Sequence, residues 1–139
     1  MFGFNDGEFK VATMAIFVGL CCFGVLRFIP LISILPTIPV WKEVLLGAGA
    51  VTVFTSIDTA GEGIKFALLC GMIAAVVFNI LYIPSQILFS SFVGAAMEGS
   101  SAGGGAFLGA LGAFANLIGV IFISPIGYTI GGVLGAALN

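Results

Sequence analysis

Four charged residues lie in or beside long apolar runs, and these residues are the ones best suited to chemistry inside a membrane. They are Arg27, Asp58, Glu62 and Glu98. A charge at the bilayer centre costs about 2.5–3.5 kcal/mol on insertion scales, and such residues usually serve a function. We consider two interpretations of Arg27. It snorkels to the membrane surface, or it pairs with one of the acids and lines a polar path.

Two side-chain amides, Asn79 and Asn116, stand within apolar segments. An amide in lipid seeks a hydrogen-bond partner on a neighbouring helix. One interpretation is that each amide joins two helices. The other is that the two amides contact an ion or a ligand, with Asn79 as part of the polar path.

Side chains for catalysis or metal binding are scarce. The chain has no histidine, which removes histidine-dependent acid–base catalysis, Ser-His-Asp triads and histidine metal sites. Cys21, Cys22 and Cys70 sit in apolar runs without the spacing of metal ligands. The sequence therefore predicts no enzyme, no cofactor and no metal site.

One glycine-rich motif raises the question of phosphate binding. Gly103, Gly105 and Gly109 form Gly-x-Gly-x-x-x-Gly, one residue longer than a dinucleotide fingerprint. A phosphate-binding loop follows a strand, and an acidic residue stands about 20 residues further on. No charged residue follows Glu98, so this motif predicts helix packing instead.

Glycines of the last third of the chain recur at helical spacing. At about 100° per residue, five residues of 105–119 fall within an arc of about 80°, namely Gly105, Gly109, Gly112, Asn116 and Gly119, and two GxxxG steps follow. Small residues let helix backbones approach closely in lipid. The sequence predicts a helix-packing seam that consists of Gly105, Gly109, Gly112, Asn116, Gly119, Gly127, Gly131 and Gly135.

The composition indicates that most of this chain is surrounded by membrane lipid. Hydrophobic residues make up 60% of its 139 residues and charged residues only 7%, whereas a soluble domain carries about 25% charged residues. The net charge of −2 comes with no basic patch, so nucleic acid is excluded as a partner. Membrane lipids and other membrane subunits, including further copies of this chain, are the expected partners.

The helices that must position these residues follow from the apolar tracts. A bilayer core of about 30 Å needs about 20 helical residues. The sequence predicts an all-α integral membrane protein, a single membrane domain over 1–139 with about four transmembrane helices and breaks at prolines. The predicted spanning helices are 11–28, 41–57, 65–83 and 104–123. Residues 1–10 are expected at the interface, and short re-entrant or interfacial helices over 85–97 and 126–138.

Two functions fit this pattern. The first is a non-enzymatic subunit that packs through its glycine seam into a homo-oligomer or larger membrane assembly, such as a virion envelope or a filament. The alternative is a small channel or transporter whose path is built from Arg27, Asp58, Glu62 and Glu98. The chain has too few basic residues for the positive-inside rule to decide between its two possible orientations in the membrane. We expect both termini in the cytoplasm if the membrane is a cellular one.

Overall fold

A computed structural model gives the fold, and it describes residues 2–26, 40–98 and 102–139. Within these ranges the chain forms five α-helices and is all-α, which confirms the predicted fold class. The helices are α1 (Asp6–Leu26), α2 (Trp41–Phe54), α3 (Ala60–Glu98), α4 (Ala102–Phe122) and α5 (Ser124–Leu138). The expectations for Arg27 and for the breaks at Pro30, Pro36 and Pro39 lie outside the described residues.

Three of these helices are long and apolar enough to cross a membrane. They are α1, the segment Ala60–Ala96 of α3 and the segment Gly104–Phe122 of α4. α5 is a shorter apolar helix. α2 has 14 residues, so it is only about 21 Å long. The described residues therefore contain three candidate spans and two shorter helices, where the sequence predicts about four spans.

α3 is one continuous helix of 39 residues with Pro84 inside it. The sequence predicts two helices here, 65–83 and 85–97, because proline removes a backbone donor and crowds the preceding turn. Membrane helices tolerate such a proline where neighbouring helices support the backbone. Here α4 packs closely along the turns that follow Pro84, as the contact between Gly94 and Gly105 shows.

The other helix boundaries differ from the prediction by a few residues. α1 begins at Asp6 rather than at residue 11, because Phe9 is buried and packs edge-to-face on Phe66, with ring centroids 6.0 Å apart. α3 begins at Ala60 rather than at residue 65. The break between α4 and α5 falls where expected, with Pro125 in the first turn of α5, a position that suits proline.

Two pairs of contacts define the helix directions along α3. Asn116 of α4 bonds to Asn79, and Gly132 of α5 lies against Gly63. α4 and α5 therefore run one after the other, antiparallel to α3. α1 runs parallel to the first half of α3, and α2 lies beside α5 and α1.

The interior combines small, aromatic and a few aliphatic residues, and many large apolar side chains face outwards. Tyr128, Phe66 and Cys70 are fully buried, whereas Met14 and Leu88 are 72% and 71% exposed. α1, α2, α5 and the first half of α3 form a four-helix bundle. The second half of α3 extends from this bundle and pairs with α4.

We expect Phe66→Ala to lower the free energy of unfolding in detergent by about 3–5 kcal/mol, because it removes a buried ring that Phe4 and Phe9 pack against. Phe122→Ala is the matched control, since Phe122 is 67% exposed. Its effect on the midpoint of thermal unfolding should be small. Equal losses in the two variants would contradict this assignment of the core.

Candidate functional site

The glycines of α5 bring its backbone against α2. A Cβ on Gly131 would lie 2.6 Å from the carbonyl oxygen of Val44, and a Cβ on Gly135 would lie 2.7 Å from Cβ of Val51. Real Cβ atoms essentially never approach closer than 3.0 Å. Any larger residue at either position would therefore force the two helices apart.

Gly127 continues this contact at the start of α5, where its Cα faces the side chain of Glu43. On the other side of α5, Gly132 lies against the backbone of Gly63 and Ile64 in α3. The sequence prediction did not include Gly132. The adjacent pair Gly131 and Gly132 is the signal for it, because two neighbouring glycines leave two faces of one helix free of side chains.

α4 uses its glycines against α3. A Cβ on Gly109 would lie 2.8 Å from Cβ of Ser90, and a Cβ on Gly112 would lie 2.7 Å from Nε2 of Gln86. Gly105 lies directly against the carbonyl group of Ser90. At Gly119, by contrast, no described atom lies within 4 Å of an added Cβ. The close contact of α4 with α3 therefore covers the first half of the predicted stripe.

The two asparagines meet between α3 and α4. Nδ2 of Asn116 donates to Oδ1 of Asn79 over 2.6 Å, and Nδ2 of Asn79 donates to the carbonyl of Ala75 over 2.8 Å. Asn79 is buried. This geometry corresponds to the interhelical hydrogen bond that the sequence offered as one interpretation. Such bonds contribute about 0.6 kcal/mol on average in membrane proteins.

Glu43 is a buried carboxylate that the sequence analysis did not select. It is only 4% exposed. Oγ of Ser124 donates to its Oε1 over 3.2 Å, and Nζ of Lys42 lies 3.6 Å from the same oxygen. Oε2 is buried without a hydrogen-bond partner among the described residues.

The position of Glu43 follows from the face of α2 on which it lies. Glu43, Gly47, Ala50 and Val51 are all buried, and their spacing of four, seven and eight residues places them on one helix face. Gly127 leaves room for the Glu43 stem. A charged residue in register with the small residues of its helix is the signal that could have identified Glu43 from sequence.

A polar cavity forms where all five helices meet. It has a volume of about 30 Å³. Its polar lining residues are Lys42, Glu43, Asn79, Tyr82, Asn116 and Ser124, and its apolar ones include Leu20, Phe23 and Val120. The cavity therefore brings together the buried Glu43 with its neighbour Lys42 and the asparagine pair.

The acids of the predicted path are not brought together. Asp58 and Glu62 are exposed near the start of α3, and Glu98 is at its other end. Glu98 lies 36 positions after Glu62 along the helix, a distance of about 54 Å. Of the predicted path residues that the structure describes, Asn79 lines the polar cavity.

A wider apolar groove of about 570 Å³ opens between α1 and the second half of α3. Phe17, Val25, Leu81 and Phe89 contribute to its walls. Phe89 is also 55% exposed, so the groove continues into the outer surface of α3.

We expect Gly131→Ala to destabilise the protein by about 1–3 kcal/mol, because the new methyl group would overlap the backbone of α2. Gly119→Ala is the matched control. It has open space around it in the described structure, and alanine is the better helix former by about 1 kcal/mol. Denaturant titration in mixed micelles should separate the two variants, and indistinguishable stabilities would argue against close contact at Gly131.

Within residues 2–26, 40–98 and 102–139, no group of three histidine, cysteine, aspartate or glutamate side chains could hold a metal ion. The three cysteines are free thiols, and Cys70 is buried. Comparison with protein-family models, with curated proteins and with solved structures finds no match to this chain.

Proposed function

We propose that this protein is a non-enzymatic membrane subunit that assembles with further copies of itself. The contact surface is the outer face of the α3–α4 hairpin, which we define as residues 85–98 of α3 and 102–114 of α4. The observation that carries this proposal is the length of uncharged helix in α3.

Charged residues on α3 occur only near its two ends. Lys65 is followed by no charged residue until Glu98, and this separation corresponds to about 50 Å of helix. The hydrocarbon core of a bilayer is about 30 Å thick. Even at the upper end of observed tilts, about 40°, the uncharged stretch would extend about 38 Å along the membrane normal. The uncharged stretch is therefore longer than the hydrocarbon core is thick, which is consistent with an apolar protein neighbour along part of it.

Large apolar side chains point outwards from both helices of the α3–α4 hairpin. The most exposed ones are Leu88, Phe92, Phe107, Leu108 and Phe114, each more than 60% exposed. An exposed apolar surface of this size is suited to contact with lipid or with a protein partner. Another copy of this chain supplies a matching surface, because its own α3–α4 hairpin has the same uncovered length.

A contact between two copies through the outer face of the α3–α4 hairpin would use bulky side chains, because the glycines of α4 are already in use within the chain. Gly105, Gly109 and Gly112 face α3 within the same chain, so they are unavailable to a second copy. The outer face offers ridges of phenylalanine and leucine, which pack into the grooves of a neighbouring helix. The apolar groove beside Phe89 gives such a neighbour a place for its side chains.

Disulfide cross-linking in membranes tests this proposal. In a background with Cys21, Cys22 and Cys70 replaced by alanine, we expect a single cysteine at Phe92 or Leu108 to form dimers under mild oxidation. Cysteine at Met14, which is 72% exposed on α1, is the matched control and should cross-link much less. A protein that is monomeric in nanodiscs, with no cross-link above the control, would refute self-assembly through this hairpin.

The second candidate function is a small channel or transporter, and the polar cavity favours it. Buried ionisable and amide groups at a junction of membrane helices are typical of ion and solute paths. In this case the path runs past Glu43 and Asn79 rather than past the acids at the ends of α3. The wide separation of Glu62 and Glu98 argues against a single site built from those two acids.

Flux into proteoliposomes tests the second candidate. A path through the polar cavity should carry protons at a rate above that of empty vesicles, and Glu43→Gln should reduce the flux at least severalfold. Glu62→Gln is the control, because Glu62 is exposed and does not line the polar cavity. No flux above empty vesicles, or equal flux in the two variants, would count against this function.

A further inference from the structure

We infer that the polar cavity is an internal hydration site, where one or two water molecules connect the carboxylate of Glu43 to the amide of Asn116. The ligand class is a small neutral molecule that both donates and accepts hydrogen bonds. This inference does not depend on whether the protein assembles or transports.

The half-satisfied carboxylate of Glu43 is the first observation. Oε1 accepts a hydrogen bond from Ser124. Lys42 Nζ, at 3.6 Å from Oε1, is beyond the range of a charge-assisted hydrogen bond, which is about 2.7–2.9 Å. Oε2 is buried, and no described protein group donates to it. A buried carboxyl oxygen without a hydrogen-bond partner is unfavourable, so the site favours a further donor beyond the described protein groups.

Asn116 supplies the second polar group. One of its amide hydrogens bonds to Oδ1 of Asn79. A side-chain amide has two donor hydrogens and an acceptor oxygen, so Asn116 retains capacity for a further partner. Both Asn116 and Glu43 line the polar cavity. A bound water needs two to four such polar groups, and Ser124 adds a third.

The size of the polar cavity matches this occupant. Its volume is about 30 Å³, and one water requires roughly 10–15 Å³ measured in this way. Cavities that stay empty in proteins are lined by apolar groups. A polar cavity of this size therefore holds one or two water molecules and excludes organic ligands.

Charge selects water over an ion. Lys42 and Glu43 already balance each other at the polar cavity. A cation would add a net charge to a site with Leu20, Phe23 and Val120 in its walls, and an anion would meet the Glu43 carboxylate. Net charge is expensive to place in such surroundings. Water satisfies Oε2 of Glu43 without changing the charge.

Water-edited NMR on the full chain in nanodiscs tests this inference. We expect magnetisation transfer from water to the side-chain amide of Asn116 and to the carboxyl carbon of Glu43. Glu43→Gln keeps an oxygen acceptor and should preserve the transfer to Asn116, whereas Glu43→Met should reduce it at least severalfold. Absence of transfer in the wild-type protein, or undiminished transfer in a folded Glu43→Met variant, would overturn the inference.

A second measurement distinguishes water from a bound cation. At constant ionic strength, the thermal unfolding midpoint of the wild-type protein should be the same in sodium, potassium and choline chloride. A midpoint that depends on the cation, with the dependence lost in Glu43→Gln, would identify a cation site and overturn the assignment of water. Equal midpoints for both proteins in all three salts would support it.

Discussion

Backbone contact between α5 and its two neighbours is the constraint on which the rest of the structure depends. Gly131 and Gly135 allow α2 to pack closely on one side of α5, and Gly132 allows α3 to pack closely on the other. Contacts this close maximise dispersion and carbonyl interactions, which replace the hydrophobic drive between helices in lipid. Since α2 is only 14 residues long, its position in the bundle depends on this surface of α5.

The same close contact explains why a carboxylate is buried. The first turn of α2 has to lie against the start of α5 for Gly47 to reach Gly131, and Glu43 is one helical turn before Gly47. Packing of the small residues therefore carries Glu43 into the interior. Ser124 and Lys42 then stabilise one carboxylate oxygen. The polar cavity is thus a consequence of how α2 must dock, and it lies where the remaining helices meet.

Periodicity and composition were sufficient to predict the all-α membrane class. The break before Pro125 also follows from local rules, because the effect of proline on its own helix is local. Pro84 was not predictable in this way, since the support that keeps α3 continuous comes from α4. The burial of Glu43 is hard to predict from sequence, because its charge and the nearby Trp41 are both typical of a membrane surface. Only the register of Glu43 with Gly47 and Val51 indicates that Glu43 is buried. That conclusion requires knowing which face of α2 meets α5.

The two halves of α3 have different surroundings. The first half contributes to the stability of the bundle, and the second half exposes a surface that is free to interact. The first half lies within the bundle, where Phe66 and Cys70 are fully buried. The second half has α4 on one side, and Phe92 on the other is 72% exposed. A fold that needed only its own stability would gain little from extending an apolar helix beyond its bundle. The added length exposes apolar surface to lipid or, as we propose, to a second copy of this chain.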